Sequence, residues 1–197
     1  MRYPSGTRRN QLTRQSTTRN STTNYSNRGM SLEDDIQQTN QFYLEVNKAV
    51  IHKKPTPIQI VNVHYPKRSA AVITEGYFQA KSTTDFNGVY RGKHIDFEAK
   101  ETKNKTLFPL ANIHEHQFIH MESVIEQDGI CFFLIRFATY DETFFISAQL
   151  VLSFWEQMKQ GGRKSIPYDV IKKDGYLIPF KYQTRVDYLH IVDQLYF

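Results

Sequence analysis

Residues 83–105, TTDFNGVYRGKHIDFEAKETKNK, decide the fold and point to a chemistry. His94, Asp96, Glu98 and Lys100 alternate with Ile95, Phe97 and Ala99. Period-two alternation of this kind belongs to a strand with one face in a core. Arg91-Gly92 supplies a hairpin turn leading into that strand. Side chains two apart share a face, so Glu98 and Lys100 project to the same side. Carboxylates at Asp85 and Glu98 suit a hard cation such as Mg²⁺. An ammonium beside such a cation adds fixed positive charge where a phosphorus centre accumulates negative charge, the minimum equipment for hydrolysing a phosphodiester. The ordinary reading of the same residues makes Asp85 a turn residue before Asn87-Gly88, with Glu98 and Lys100 on a solvated face. Spacing alone does not choose between the two, because Asp-x12-Glu-x-Lys uses common residues.

The chain around this stretch has 197 residues, enough for one domain with a sizeable core. Its net charge of +5 is unevenly placed. Residues 1–32 hold six of the 25 basic residues (Arg2, Arg8, Arg9, Arg14, Arg19 and Arg28) and no acidic one, which leaves 19 basic against 20 acidic residues in the remainder. Residues 1–30 therefore read as a basic arm of Arg, Asn, Gln, Ser and Thr, too polar to offset the entropy of ordering and expected to be disordered without a partner. Such an arm suits a polyanion such as DNA, adding salt-sensitive affinity without sequence preference. It lacks the apolar residues of an amphipathic transit helix, and no secretory or membrane-spanning run occurs, so a cytoplasmic location is expected. Cys131 is the only cysteine, which excludes disulfide and cysteine-zinc frameworks.

Residues 31–197 read as the folded domain. Ser31-Leu32-Glu33-Asp34 has the form of a capping box before a helix with apolar Leu32, Ile36, Tyr43 and Val46, ending near Lys48. Val50–His52 and Ile58–Val63 read as strands, separated by Lys53-Lys54-Pro55-Thr56-Pro57, which a helix cannot cross. A basic interruption, residues 64–72, precedes another strand-like run ending near Phe78. Asn112 is the expected cap of a second helix, Ile113 to Gln127, stopped by Asp128-Gly129. Ile130–Phe137 is apolar on both faces, as a central covered strand must be. A strand over Thr143–Ile146, a helix around Leu150–Met158 and a last helix over Val186–Tyr196 complete an α/β sandwich around a mixed central sheet flanked by helices.

Other constellations are poorer. His114, His116 and His120 invite zinc, but the H-E-x-x-H pattern fails because Phe118 stands where the second histidine belongs. No G-x-S-x-G elbow occurs. Gly161-Gly162-Arg163-Lys164-Ser165 lacks the phosphate-loop spacing and reads as a basic or solvated turn. Residues 64–72 are an ordinary surface loop on the plain reading. On the functional one they cap a long ribbon that probes DNA, with Lys67 and Arg68 on phosphate and Tyr65 stacking on an exposed base.

Longer literal stretches carry a resemblance. Tyr25-Ser26-Asn27-Arg28-Gly29-Met30, Leu32-Glu33-Asp34-Asp35, His52-Lys53-Lys54-Pro55-Thr56-Pro57, Ile60 through Arg68 (IVNVHYPKR) and Ile95 through Lys103 (IDFEAKETK) closely resemble the RecU-type Holliday junction resolvases of Gram-positive bacteria. The resemblance extends from about Tyr25 to Phe197. It implies a restriction-endonuclease-like core with a protruding β stalk at about residues 64–72. It also implies Mg²⁺ ligands at Thr83, Asp85, Glu98 and Gln117, one or two ions per site, with Lys100 as transition-state stabiliser. Tyr65, Lys67, Arg68 and Arg28 are the expected DNA contacts. The implied partners are a four-way DNA junction and a second copy of the chain, with recombinase and branch-migration proteins alongside, at the nucleoid. Two rival readings remain at this point: a restriction- or mismatch-type nuclease on the same fold, and a non-catalytic DNA-binding or annealing protein.

Overall fold

The computed structural model describes residues 31–79 and 83–197. The basic arm, including Arg28, lies outside them. A six-stranded mixed sheet forms the centre, in the order β1 (Val50–Lys53), β4 (Phe86–Tyr90), β5 (Lys93–Thr102), β7 (Ile130–Phe137), β8 (Glu142–Ser147) and β10 (Tyr176–Ile178). Only β5 and β7 pair in parallel, and the crossover between them contains α2 (Glu115–Glu126). All other neighbours in this sheet are antiparallel.

The period-two pattern of β5 explains its place. Ile95, Phe97 and Ala99 enter one core with Phe132, Leu134 and Phe145, under α1 (Leu32–Glu45) and α5 (Tyr188–Tyr196). Phe97 stacks on Phe86 and Phe132 with centroids 5.0 and 4.7 Å apart. β7 is buried along its whole length because its other residues, Cys131, Phe133 and Ile135, enter a second core with Phe118 and Met121 of α2. That core continues to α3 (Ala148–Lys159) and α4 (Tyr168–Asp174). β5 turns its polar residues toward this second side, so its carboxylates lie between sheet and α2 rather than in open solvent.

Local signals act largely as expected. Ser31 and Asp34 form the capping box of α1, whose Leu32, Ile36 and Tyr43 are buried. The helix stops at Glu45, short of Lys48, and Val46 is its exposed C-cap. The β4–β5 hairpin turns on Arg91 (φ 48°) and Gly92 (φ 78°), a pair of left-handed residues that matches strand twist. Asn87-Gly88 is no turn. It lies within β4, where a Cβ on Gly88 would stand 2.1 Å from the Val50 carbonyl oxygen, so glycine permits β1 to approach. Asp128, at φ 60°, follows the end of α2.

Several boundaries shift. Asn112 does not cap α2; it closes a 3₁₀ turn, and His114 is the cap. α5 begins at Tyr188, after Asp187, rather than at Val186. The structure adds the short strands β6 (Leu107–Pro109) and β9 (Ser165–Pro167), together with α4 and β10, none of which the sequence pattern announces. Residues 161–164 lie in an exposed turn between α3 and β9.

The basic interruption is the tip of a separate two-stranded ribbon, β2 (Ile58–His64) with β3 (Val72–Phe78). The ribbon is therefore longer than residues 64–72, and every residue of both strands is exposed. Away from the ribbon, a buried ion triad braces α1: Asp35 accepts from Arg136 Nη2 at 2.8 Å and from Arg185 Nη1 at 3.0 Å.

Candidate active site

Asp85 immediately precedes β4, and Glu98 sits mid-way along β5. The β4–β5 ladder begins at the Phe86–Phe97 pair, which brings Asp85 alongside Glu98. The Asp85 N–H donates to Glu98 Oε2 at 3.0 Å. On the other oxygen, Lys100 Nζ donates to Glu98 Oε1 at 2.6 Å. Glu98 is fully buried and Asp85 nearly so. The structure thus joins three of the expected site residues in direct contact.

Burial pushes the Glu98 carboxyl up to about 7, and a hydrogen bond with the Asp85 side chain pushes the same way. Lys100 pulls it down, the negative charge of Asp85 pushes it up again, and the upward causes prevail. Two acids this close, one of them fully buried, favour a shared proton or a bound cation. Among the described residues no three His, Cys, Asp or Glu side chains form a ready metal cage. Two adjoining carboxylates are a donor set Mg²⁺ takes, since it keeps several waters and needs only one or two carboxylates. The residues present therefore fit that ion.

Gln117 lies buried in the first turn of α2, where its Oε1 accepts the His114 N–H at 3.0 Å. An amide oxygen has a second lone pair, so this cap leaves an acceptor site. Thr83 is half-buried two residues before Asp85. The bonds that join Asp85, Glu98 and Lys100 do not run through these two side chains. His116, beside Gln117, lies close enough for Lys100 to help lower its pKa, after burial and His114. Its Nε2 is buried without a hydrogen-bond partner, and its ring stacks on His114 at 5.4 Å.

Sequence reasoning missed a neighbouring group. Asp96 is 1% exposed, on the same face of β5 as Glu98, and it gathers Lys54, Thr84, His94 and His120. Lys54 and Asp96 are 42 residues apart, so only the fold reveals their contact.

Tyr65, Lys67 and Arg68 are all exposed at the ribbon tip, well apart in sequence from the carboxylates. The chain matches the family model described as recombination protein U over residues 27–194. The chain belongs to the RecU family. Among its curated RecU relatives, one from Oceanobacillus iheyensis is 70% identical over 173 residues, covering 88% of each chain. Another, from Geobacillus kaustophilus, is 55% identical over 197 residues, covering all of this chain and 98% of its own. A third, from Bacillus subtilis, is 58% identical over 173 residues, covering 88% of this chain and 83% of its own. Each bears the name Holliday junction resolvase RecU. RecU membership agrees with the mixed sheet and its flanking helices.

Proposed function

We propose that this chain resolves four-way DNA junctions by Mg²⁺-dependent hydrolysis, as a homodimer that nicks two opposed strands at symmetry-related positions. It is a structure-specific endonuclease of recombination and repair. The observation that carries the chemistry is that buried Glu98 bonds both Asp85 and Lys100. In this reading Asp85 and Glu98 hold the ion, with Thr83 and Gln117 contributing neutral oxygens. The ion, when bound, supplies a lowered water pKa and a Lewis acid for the phosphoryl oxygens.

The chain's own residues do the rest. Glu98 holds Lys100 Nζ at 2.6 Å and so fixes an ammonium that would otherwise sweep a wide arc on four methylenes. Once the scissile phosphate enters, that ammonium lies where charge accumulates on the non-bridging oxygens and stabilises the transition state. Partial burial of Lys100 limits how far bulk water screens it. Two-fold symmetry in the protein matches two equivalent nicks.

Every phosphodiester looks alike to such a centre, so junction selectivity needs another element. The β2–β3 ribbon supports that role: it is separate from the central sheet and exposes Ile60, Val61, Val63, Tyr65, Lys67 and Arg68. Its tip enters the open centre of a four-way junction, whereas linear duplex meets it as an obstacle. A location at the nucleoid and work beside recombinase and branch-migration proteins accord with that substrate. No helix among the described residues is long and apolar enough to cross a membrane.

The test is cleavage mapping on a four-way junction labelled strand by strand, alongside linear duplex and single strand, with and without Mg²⁺. Paired nicks on opposed strands of the junction, dependent on Mg²⁺, are expected. Equal cleavage of linear duplex would favour a restriction-type nuclease instead.

A further inference from the structure

Lys54, Thr84 and Asp96 form a buried knot that no step of the hydrolysis uses. Asp96 lies two residues before Glu98 on the same face of β5. One of its oxygens accepts the Thr84 hydroxyl. The other accepts Lys54 Nζ at 3.0 Å and stands 3.1 Å from His120 Nε2 and 3.4 Å from His94 Nε2. Lys54 Nζ also donates to Thr84 Oγ1 at 3.0 Å, and the Lys54 N–H donates to the Asp85 carbonyl at 2.8 Å. The residue between Thr83 and Asp85 is thereby tied to both β5 and the segment leaving β1.

A buried carboxylate with its donors is no better for stability than apolar packing of the same volume, so its value lies in geometry. The geometry it fixes is specific. The β4–β5 ladder starts at Phe86, leaving residues 83–85 beyond the sheet pairing. Asp85 must nevertheless stay beside Glu98 if both carboxyls are to hold one small divalent ion. Past the ladder, the Lys54 N–H bond to the Asp85 carbonyl is the backbone tie toward β1, and Lys54 and Asp96 add side-chain bonds on Thr84. β2 begins only four residues after Lys54, so the same lysine also anchors the root of the ribbon.

We propose that Lys54, Thr84 and Asp96 form a positioning clamp that holds residues 83–85 against β5 and thereby sets the affinity of the Asp85–Glu98 pair for a divalent cation. The inference rests on the reading of that pair as the cation site. Neither Lys54 nor Thr84 touches substrate; both act through Asp85. Lys54 carries its charge to Asp96 rather than to DNA, which separates it from the ribbon's Lys67 and Arg68.

The test measures Mn²⁺ binding to the full chain by electron paramagnetic resonance without DNA, and four-way-junction affinity in EDTA. The variants are Lys54→Met, Lys54→Arg, Thr84→Val and Asp85→Asn, each checked for native melting. Loss of the support that orients a metal ligand weakens metal binding by about 10–100-fold, and the clamp acts on Asp85 at one remove, so Lys54→Met and Thr84→Val are expected to bind Mn²⁺ about tenfold more weakly. Their junction affinity in EDTA is expected to be unchanged, and excess Mn²⁺ is expected to restore nicking. Lys54→Arg, which keeps a cation able to bridge Asp96 and Thr84, is expected to retain wild-type Mn²⁺ affinity. Wild-type Mn²⁺ affinity in both Lys54→Met and Thr84→Val, with Asp85→Asn impaired, overturns the clamp. Unimpaired binding by Asp85→Asn overturns the cation-site reading itself.

Discussion

Replacing Glu98 with Gln should stabilise the metal-free protein while destroying its activity. The Glu98 carboxyl is fully buried, and its pKa rises from 4.5 to about 7, burial being the largest cause. A tenfold change in acidity is worth about 1.4 kcal/mol, so ionised Glu98 costs the fold about 3 kcal/mol above pH 7. The sign follows from proton uptake. A folded-state pKa above the unfolded one means that the folded protein binds the extra proton between pH 4.5 and 7. This group's contribution is therefore fully present below pH 4.5 and lost as pH rises through about 7. Gln keeps an oxygen for the Asp85 N–H but turns poor partners toward Lys100, which returns part of the gain. A net stabilisation of about 1–3 kcal/mol at pH 8 is expected, with melting raised by roughly 2–10 °C for a domain of this size. The assay is thermal unfolding of both proteins in EDTA from pH 5 to pH 8. The gap should be smallest near pH 5 and largest at pH 8, and Mg²⁺ should raise the melting temperature of the wild type alone. A Gln variant less stable than wild type at pH 8, or a gap independent of pH, would refute the claim that Glu98 is a strained buried charge.

Asp35→Ala should destabilise the domain by about 3–5 kcal/mol in urea titration, since it takes the shared carboxylate from buried Arg136 and from Arg185; a loss below about 1 kcal/mol would show that water reaches the triad. Changing Lys67 and Arg68 together to Ala should lower affinity for a four-way junction more than for linear duplex at the same salt, with secondary structure unchanged. Equal losses would reduce them to ordinary phosphate contacts. Deleting residues 1–24, which carry five arginines, should flatten the salt dependence of DNA binding by up to about 0.9 in log-log slope per lost phosphate contact. An unchanged slope would assign the arm to something other than DNA.

What the sequence made legible follows the physics of each element. The doubly apolar run Ile130–Phe137 has no solvated face in either period, so it had to be a central strand, and it is. Alternation in residues 93–102 fixed which side chains of β5 share a face. Ser31 with Asp34, and Arg91 with Gly92, are local signals whose partners lie within three residues, and they placed a helix start and a hairpin. Elements of three residues, such as β6, β9 and β10, are too short to display a period and are held by their neighbours instead. The start of α2 is displaced from its expected place because Asn112 is the better intrinsic cap, yet Gln117 reaches back to the His114 N–H and wins the position. Asp85, Glu98 and Lys100 were readable as residue types at suitable spacing. Gln117 and Thr83 came only through family resemblance, because neutral oxygens carry no signature. The bonds from Lys54 and Thr84 to Asp96 were beyond reach, since they join chain segments brought together by the sheet.

The central claim is that Asp85 and Glu98 together form the cation-dependent centre that cuts DNA. Its most direct measurement is the single-turnover rate at which Asp85→Asn nicks a four-way junction in Mg²⁺, with enzyme in excess and junction binding measured in parallel. The account predicts a fall of more than about 10²-fold in rate with affinity for the junction retained, because the substitution removes a charge from the ion's site and leaves the DNA-binding surface intact. A rate within a few-fold of wild type would contradict it.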